Sequence, residues 1–239
     1  MSFINRGNGL KVFLMAGGYG KRLEPLTKDT PKCLLPVKGR PLIEHWFDLF
    51  TQAKVTDVLI NTHYHADKVN QFIENKRRNG NSSFNIVTAY EPELLGTART
   101  LCKNWEFVKN EDVFLVVYAD NYTILPLRLL INWHMQKMYK GIATIGLFKP
   151  SKPAECGIVT VKNQVVLDIE EKPERPKSDL GFAGIMITGR KIAKYLDDKT
   201  IDIARDLLPK ILGLTLGFEI RYPFIDIGTP ENYQKAQNL

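Results

Sequence analysis

The sequence predicts an α/β fold in which a parallel or mixed sheet is covered by helices on both sides. Strand-like and helix-like segments alternate through the first 148 residues. One strand candidate, Val113–Tyr118, contains the unbroken apolar run Val113–Val117, the pattern of a strand buried on both faces. Ala66, Val69, Phe72 and Ile73 place one apolar stripe at helical spacing.

Taken in order, strands are predicted at Lys11–Met15, Asp57–Asn61, Phe84–Tyr90, Val113–Tyr118 and Ile142–Phe148. Helices are predicted over Pro41–Ala53, Ala66–Arg78, Gly96–Val108 and Pro126–Tyr139. Then the pattern changes. Gly157–Lys162 and Val165–Glu170 are short β runs around Asn163-Gln164, which predicts a hairpin. Lys172–Ser178 is charged and Pro-rich, hence a loop, and Gly181–Thr188 is another strand. Helices are expected at Ile201–Leu212 and Pro230–Asn238. One domain over 1–239 is the simplest account, with residues from about 150 onward adding a β-rich lobe.

Composition bounds the function. The chain has 239 residues, 44% hydrophobic and 25% charged, which excludes a disordered polymer. Its three cysteines lack any CxxC spacing, so neither a disulfide framework nor a structural zinc site is expected. No apolar run reaches the roughly 18 residues a membrane span needs, and Met1–Leu10 does not read as a signal peptide. A cytoplasmic protein is the expectation. The net charge of +7 suits a phosphorylated small molecule, an anionic surface or nucleic acid, or simply a solvated basic surface. Only Lys76-Arg77-Arg78 forms a three-residue basic run, without accompanying stacking aromatics, so no nucleic-acid partner is expected.

The stretch Val12–Pro25, VFLMAGGYGKRLEP, runs a strand into Gly17-Gly18-Tyr19-Gly20 and then Lys21 and Arg22. Such a turn brings backbone N–H groups close to an anion, and Arg22 adds a bidentate fork. It also reads as a plain tight turn that needs glycine for positive φ. It is not a Walker A loop, because Arg22 follows Lys21 where Ser or Thr is required. It is not a dinucleotide fingerprint, because Leu23 stands at the third glycine. Lys32 lies between Pro31 and Pro36, in a stiff segment able to hold an ammonium beside a transferring phosphoryl group. Asp120 and Asp226 each follow an apolar run; each reads as a metal carboxylate or as a turn or capping residue. His63 and His65 have no ligand-spaced partners and suit loop or capping roles.

AGGYGKRLEPLTKDTPKCLLPVKGRPLIEH resembles the signature of the sugar-1-phosphate nucleotidylyltransferases. Further similar pieces follow in family order at LGTART, VYAD, EEKPERP, FAGIMIT and FIDIGTPENYQKA. The resemblance implies a Rossmann-like three-layer fold with a mixed, mostly parallel sheet of the GT-A type, a nucleotide-binding part over about 1–150 and a sugar-phosphate part over about 151–239, with no trailing β-helix. It implies Mg²⁺ on Asp120 and Asp226, with Arg22 and Lys32 as the other catalytic residues. It assigns the nucleotide to Ala16, Gly17, Gly18, Gly20, Lys21, Arg22, Glu91, Gly96 and Thr97. The sugar phosphate falls to Gly157, Glu171, Lys172 and Gly184.

The implied reaction joins an NTP and a sugar 1-phosphate to give an NDP-sugar and pyrophosphate. LGTA favours GTP and the mannose- or heptose-1-phosphate branch, with Glu91 or Glu93 accepting from guanine. UTP, dTTP and CTP stay open, as do non-sugar acceptors such as phosphocholine. So does a catalytically silent sensor, although all five charged residues Arg22, Lys32, Asp120, Lys172 and Asp226 are present. A homo-oligomer is an open expectation. Four departures stand out: Cys33 for a common proline, Arg99 for Gly, Ala119 for Gly, and Phe182 where hexose-binding members often have Asn.

Overall fold

The computed structural model describes residues 9–80 and 82–239. In chain order the elements are β1 (Leu10–Met15), β2 (Pro36–Val37), β3 (Arg40–Pro41), α1 (Leu42–Ala53), β4 (Val55–Thr62), α2 (Ala66–Arg78), β5 (Asn85–Tyr90), α3 (Thr97–Lys103), β6 (Phe114–Tyr118), β7 (Asn121–Thr123) and α4 (Leu127–Lys137). They continue with β8 (Ala143–Phe148), β9 (Gly157–Lys162), β10 (Val165–Glu171), β11 (Gly181–Thr188), β12 (Thr215–Glu219), β13 (Phe224–Asp226) and α5 (Pro230–Gln237). No helix among the described residues is long and apolar enough to cross a membrane.

The chain divides into two compact units that interleave along the sequence. The first takes the described residues up to Leu94, Val117–Leu127 and Tyr222–Leu239. The second takes Leu95–Val116 and Arg128–Arg221.

In the first unit β1 pairs parallel with β4, and β4 parallel with β5, so Val12 lies beside Val58 and Leu59 beside Val87. Burial of both strand faces explains the continuous apolar runs: Val12, Phe13, Leu14, Val58 and Ile60 are fully buried. The amphipathic α1 buries Leu42, Ile43, Trp46, Phe47, Leu49, Phe50 and Ala53, the i, i+3, i+4 pattern of one face. It stops at Lys54, which takes the left-handed conformation and returns its N–H to the last turn. Phe84 meets Phe47 and Phe50 edge-on, closing this core.

In the second unit pairing is mainly antiparallel, whereas β1, β4 and β5 of the first unit pair parallel, so the pairing is mixed, as expected. β8 pairs antiparallel with β11 and parallel with β12, while β10 pairs antiparallel with β9 and β12. The physical reason is the predicted hairpin itself. Asn163 and Gln164 both adopt positive φ, the two-residue turn that joins antiparallel neighbours. The helix expected over Ile201–Leu212 is broken into a π-type turn at Ile203–Leu207 and a 3-10 turn at Leu208–Ile211; Pro209 lacks the N–H a continuous helix would need. The α3 helix is likewise shorter than predicted, with a separate 3-10 turn at Trp105–Phe107.

Within the second unit His134 is buried and shares a 2.8 Å hydrogen bond with Thr144. Burial pushes its imidazole down to about 4. Between that value and the ordinary His value of 6.5 the unfolded chain takes up a proton that the fold refuses. Stability is therefore complete above pH 6.5 and falls as the pH drops toward 4. Denaturant midpoints at pH 7 and pH 4.5 should show about 2–3 kcal/mol more acid loss in the wild type than in His134→Gln. Equal losses in the two proteins would remove His134 as the cause.

Candidate active site

The charged residues singled out in the first unit are held by one apolar cluster. Leu23, Leu35, Val37, Leu42, Tyr122, Ile227 and Ala236 pack together there, almost fully buried. Leu23 directly follows Arg22, Leu35 lies three residues after Lys32, Tyr122 two after Asp120, and Ile227 directly follows Asp226. Four distant segments thus carry an apolar anchor next to a charged group. Burying the anchors, each worth roughly 1.5–3 kcal/mol, gathers the charges as a by-product.

The glycine turn follows β1. Gly20 sits at φ +69°, and its carbonyl accepts from Leu23 N–H at 2.8 Å and from the buried Thr27 hydroxyl at 2.9 Å. These bonds wind Lys21–Leu23 into a 3-10 turn, with Leu23 inward and Lys21 and Arg22 exposed. Gly17 faces Asn61, whose Nδ2 would lie 2.8 Å from any Cβ there, while Gly18 has open space around it.

Asn61, not picked out by sequence reasoning, ties this turn to the neighbouring strand ends. Its Oδ1 accepts from Ala16 N–H at 2.7 Å, and its Nδ2 donates to Glu91 Oε1 at 3.1 Å. The Ala16 N–H is therefore already engaged. Glu91 is only 2% exposed, and its backbone N–H bonds the Thr62 carbonyl. Its carboxylate supports the turn in this structure instead of facing outward, whereas Glu93 is exposed. His63 bonds the Glu91 carbonyl and the Tyr19 hydroxyl, both at 2.8 Å. His65 bonds the Lys28 carbonyl, in keeping with a loop role. An apolar–polar switch at a strand end was the only sequence signal for Asn61, and it is a common one.

Two pairings bring the aspartates together. Asp120 occupies the turn between β6 and β7, and β7 pairs antiparallel with β13, setting Asp226 opposite Asn121. Ile227 N–H donates to the Asp120 carbonyl at 3.0 Å. Trp46 Nε1 donates to the Asn121 carbonyl at 2.8 Å, fixing that turn from α1. Residues 106 apart in the sequence thereby become neighbours.

Lys32 points at both. It opens a 3-10 turn whose next residue, Cys33, is buried, with burial pushing the thiol up to about 12 and leaving it an inert core group. Lys32 Nζ lies 2.8 Å from Asp120 Oδ2 and 3.4 Å from Asp226 Oδ1. The lysine side chain is 12% exposed. Burial works against its charge, but Asp120 and then Asp226 outweigh that and hold its pKa above the ordinary value. Partial burial, and then the nearby Asp120 charge, push the Asp226 carboxyl up, although Lys32 opposes this. Two carboxylates share the one Lys32 ammonium, and the Arg22 guanidinium lies nearby. Gly228 closes the site: its N–H donates to Asp226 Oδ1 at 2.7 Å. A Cβ there would lie 2.7 Å from Arg22 Nη2 and 3.1 Å from Lys32 Nζ, so both cations converge on this glycine.

The second unit holds the other candidates. Gly157 pairs with Glu171 across the β9–β10 hairpin, and a Cβ on Gly157 would meet Glu171 Oε2 at 2.9 Å. Lys172 adopts φ +48°, its N–H bonds the Cys156 carbonyl at 3.0 Å, and its exposed ammonium stands 4.0 Å from Glu171. Gly184 has φ +61° where the β11–β8 register shifts, the mark of a bulge.

The start of α3 packs against residues 201–203. The N–H groups of Ala98 and Arg99 both bond the Ile201 carbonyl, and the Thr97 hydroxyl donates to Asp202 at 3.0 Å and accepts from Ile203 N–H at 2.8 Å. Gly96, at φ +90°, leaves room for Ile201, whose carbonyl a Cβ would meet at 2.7 Å. The Ala98 and Arg99 N–H groups are thus satisfied within the fold.

Residues 11–239 match the family model described as nucleotidyl transferase. A Sulfolobus acidocaldarius protein, named provisionally as a mannose-1-phosphate guanyltransferase, is 31% identical over 95% of this chain and 62% of its own length. The Saccharomyces cerevisiae mannose-1-phosphate guanyltransferase is 26% identical over 94% of this chain and 63% of its own. This chain thus spans under two thirds of these curated relatives. Among solved structures, a Bacillus anthracis protein provisionally named a glucose-1-phosphate thymidylyltransferase has a TM-score of 0.84 and 27% identity, covering 96% of this chain and 94% of that one. HddC from Yersinia pseudotuberculosis, complexed with GMP-PN, has a TM-score of 0.77 and 25% identity, covering 96% and 98%.

Proposed function

Because this chain belongs to the nucleotidyl transferase family, we propose that it is a Mg²⁺-dependent nucleotidylyltransferase joining GTP and a sugar 1-phosphate into an NDP-sugar and pyrophosphate. The observation that carries the reading is the Lys32 ammonium shared between Asp120 and Asp226 next to Arg22. The relatives named as mannose-1-phosphate guanyltransferases, and the GMP-PN bound by a similar structure, support GTP. The finer fold label, a GT-A-like three-layer architecture, is part of the same proposal.

The chemistry asks little of acid–base catalysis. A sugar phosphate oxygen is already anionic at neutral pH. It attacks the α-phosphorus, and the bond to the β-phosphate oxygen breaks as pyrophosphate leaves with the electron pair. The protein must hold two repelling anions in line and offset the charge that gathers on phosphorus. Arg22 and the glycine turn hold the triphosphate, and Lys32 offsets charge at the reacting phosphoryl group. Glu171 and Lys172, beside Gly157 and with Gly184, are assigned to the sugar phosphate on the strength of the sequence motif.

The residues present fit a divalent ion. Magnesium is commonly held by one or two carboxylates together with substrate phosphates. Asp120 and Asp226 supply that number, both within reach of a common cation. No larger cluster of His, Cys, Asp or Glu exists among the described residues. When bound there, the ion would supply charge screening of the phosphates.

The test is pyrophosphate release, four NTPs against a panel of sugar 1-phosphates and phosphocholine. Turnover should be highest with GTP and a hexose or heptose 1-phosphate. Nucleotide binding without pyrophosphate from any pair would identify a silent sensor and overturn the reading.

A further inference from the structure

We infer that Lys32 is a resident counter-ion for the Asp120–Asp226 pair, so that a divalent ion enters only by displacing its ammonium, which is then released toward the incoming phosphates. The inference rests on the metal assignment above and adds an order of events to it.

Three observations carry it. First, Lys32 Nζ lies against both carboxylates at once, 2.8 Å from Asp120 Oδ2 and 3.4 Å from Asp226 Oδ1, the place a bridging cation would take. Second, the Lys32 side chain is 12% exposed, and a buried charge stays only where it is paired. Third, the segments that carry the two carboxylates are held by contacts other than Lys32. Asp226 Oδ1 is held by Gly228 N–H, β13 is paired to β7, and Ile227 N–H ties the Asp120 backbone. Removing the lysine charge therefore leaves both aspartates on paired segments without the ammonium that bridges them, not a collapsed loop.

The consequence is a site that resists a bare metal ion. An ammonium a few ångströms from a dication repels it strongly in a partly buried setting. A phosphate-bearing nucleotide relieves the conflict, because it offers the ammonium a new anion and the metal further oxygens. The same lysine that blocks the empty site then becomes the charge that assists transfer.

The experiment is Mn²⁺ titration of the nucleotide-free protein, read by electron paramagnetic resonance of the free ion, in the wild type, Lys32→Met and Lys32→Gln. Both variants should bind Mn²⁺ at least about tenfold more tightly than the wild type. Equal or weaker binding in folded variants would overturn the inference. A second measurement needs no variant. Acetic anhydride labelling of the wild type, mapped by mass spectrometry, should show Lys32 becoming more reactive relative to Lys21 when Mn²⁺ is saturating. Unchanged relative reactivity would equally overturn it. The outcomes separate the two readings. Tighter Mn²⁺ binding by both variants, without pyrophosphate release in the substrate panel, sinks only the enzymatic function. Turnover by the wild type in the substrate panel, with Mn²⁺ affinity unchanged in the variants, sinks only the counter-ion role.

Discussion

Asp226→Asn is expected to lower pyrophosphate release on the order of 1000-fold while leaving the melting temperature unchanged or slightly higher. The substitution keeps an acceptor for Gly228 N–H and keeps the side-chain volume, so the β13–β7 pairing has no reason to shift. What it removes is one negative charge from a pair. Losing one electrostatic group that acts on the transferring centre typically costs 3–4 kcal/mol of barrier. Stability moves the other way for a physical reason. Partial burial and the nearby Asp120 disfavour the Asp226 charge in the folded protein, and the Lys32 contact to it is the longer of the two. A side chain the fold holds at a cost and the reaction needs is the signature of a functional group. Steady-state kinetics and a thermal melt on the same preparation check both halves. A stable variant with near-normal turnover would remove Asp226 from the mechanism, and a strongly destabilised one would make it a structural residue.

Much of this was legible in the sequence, and the boundary between what was and was not has a physical cause. Local periodicity places α2 at Ala66–Arg78 and β11 at Gly181–Thr188, the same residues as in the structure, because both effects act within a few residues. The Asn163-Gln164 hairpin follows from turn chemistry alone. β7 and β12 escaped, since three or five residues of mixed character carry too little pattern. The antiparallel pairing of β8 with β11 was not legible, because pairing direction between strands distant in sequence is a long-range property. At the site, the motifs supplied the charged residues, and folding supplied the supports. Asn61 bonding Ala16 and Glu91 joins three segments that the sequence shows only separately. The burial of Glu91 and the closure of the α3 start on Ile201 are likewise tertiary facts, which no spacing rule could provide.

Gly228→Ala carries the other large effect, a loss of about 100- to 1000-fold in turnover with little change in stability. No positive φ is needed at this position, so a Cβ is tolerated by the backbone itself. Its cost is where the methyl goes. It would stand 2.7 Å from Arg22 Nη2, 2.8 Å from Asp226 Oδ1 and 3.1 Å from Lys32 Nζ. Arg22 and Lys32 offer only the ends of long side chains, which swing away for a small fraction of the folding free energy. Swinging away is what the reaction cannot accept, because a displacement of about 1 Å at groups that orient and neutralise phosphates forfeits much of their effect. With the roles proposed above for Arg22 and Lys32, the loss should fall mainly on kcat, with a smaller rise in KM for the nucleotide. A variant that melts normally and turns over normally would show that the convergence of the two cations on Gly228 is incidental. One that unfolds would show instead that the glycine serves the packing of Ile227 against Leu23 and Leu35.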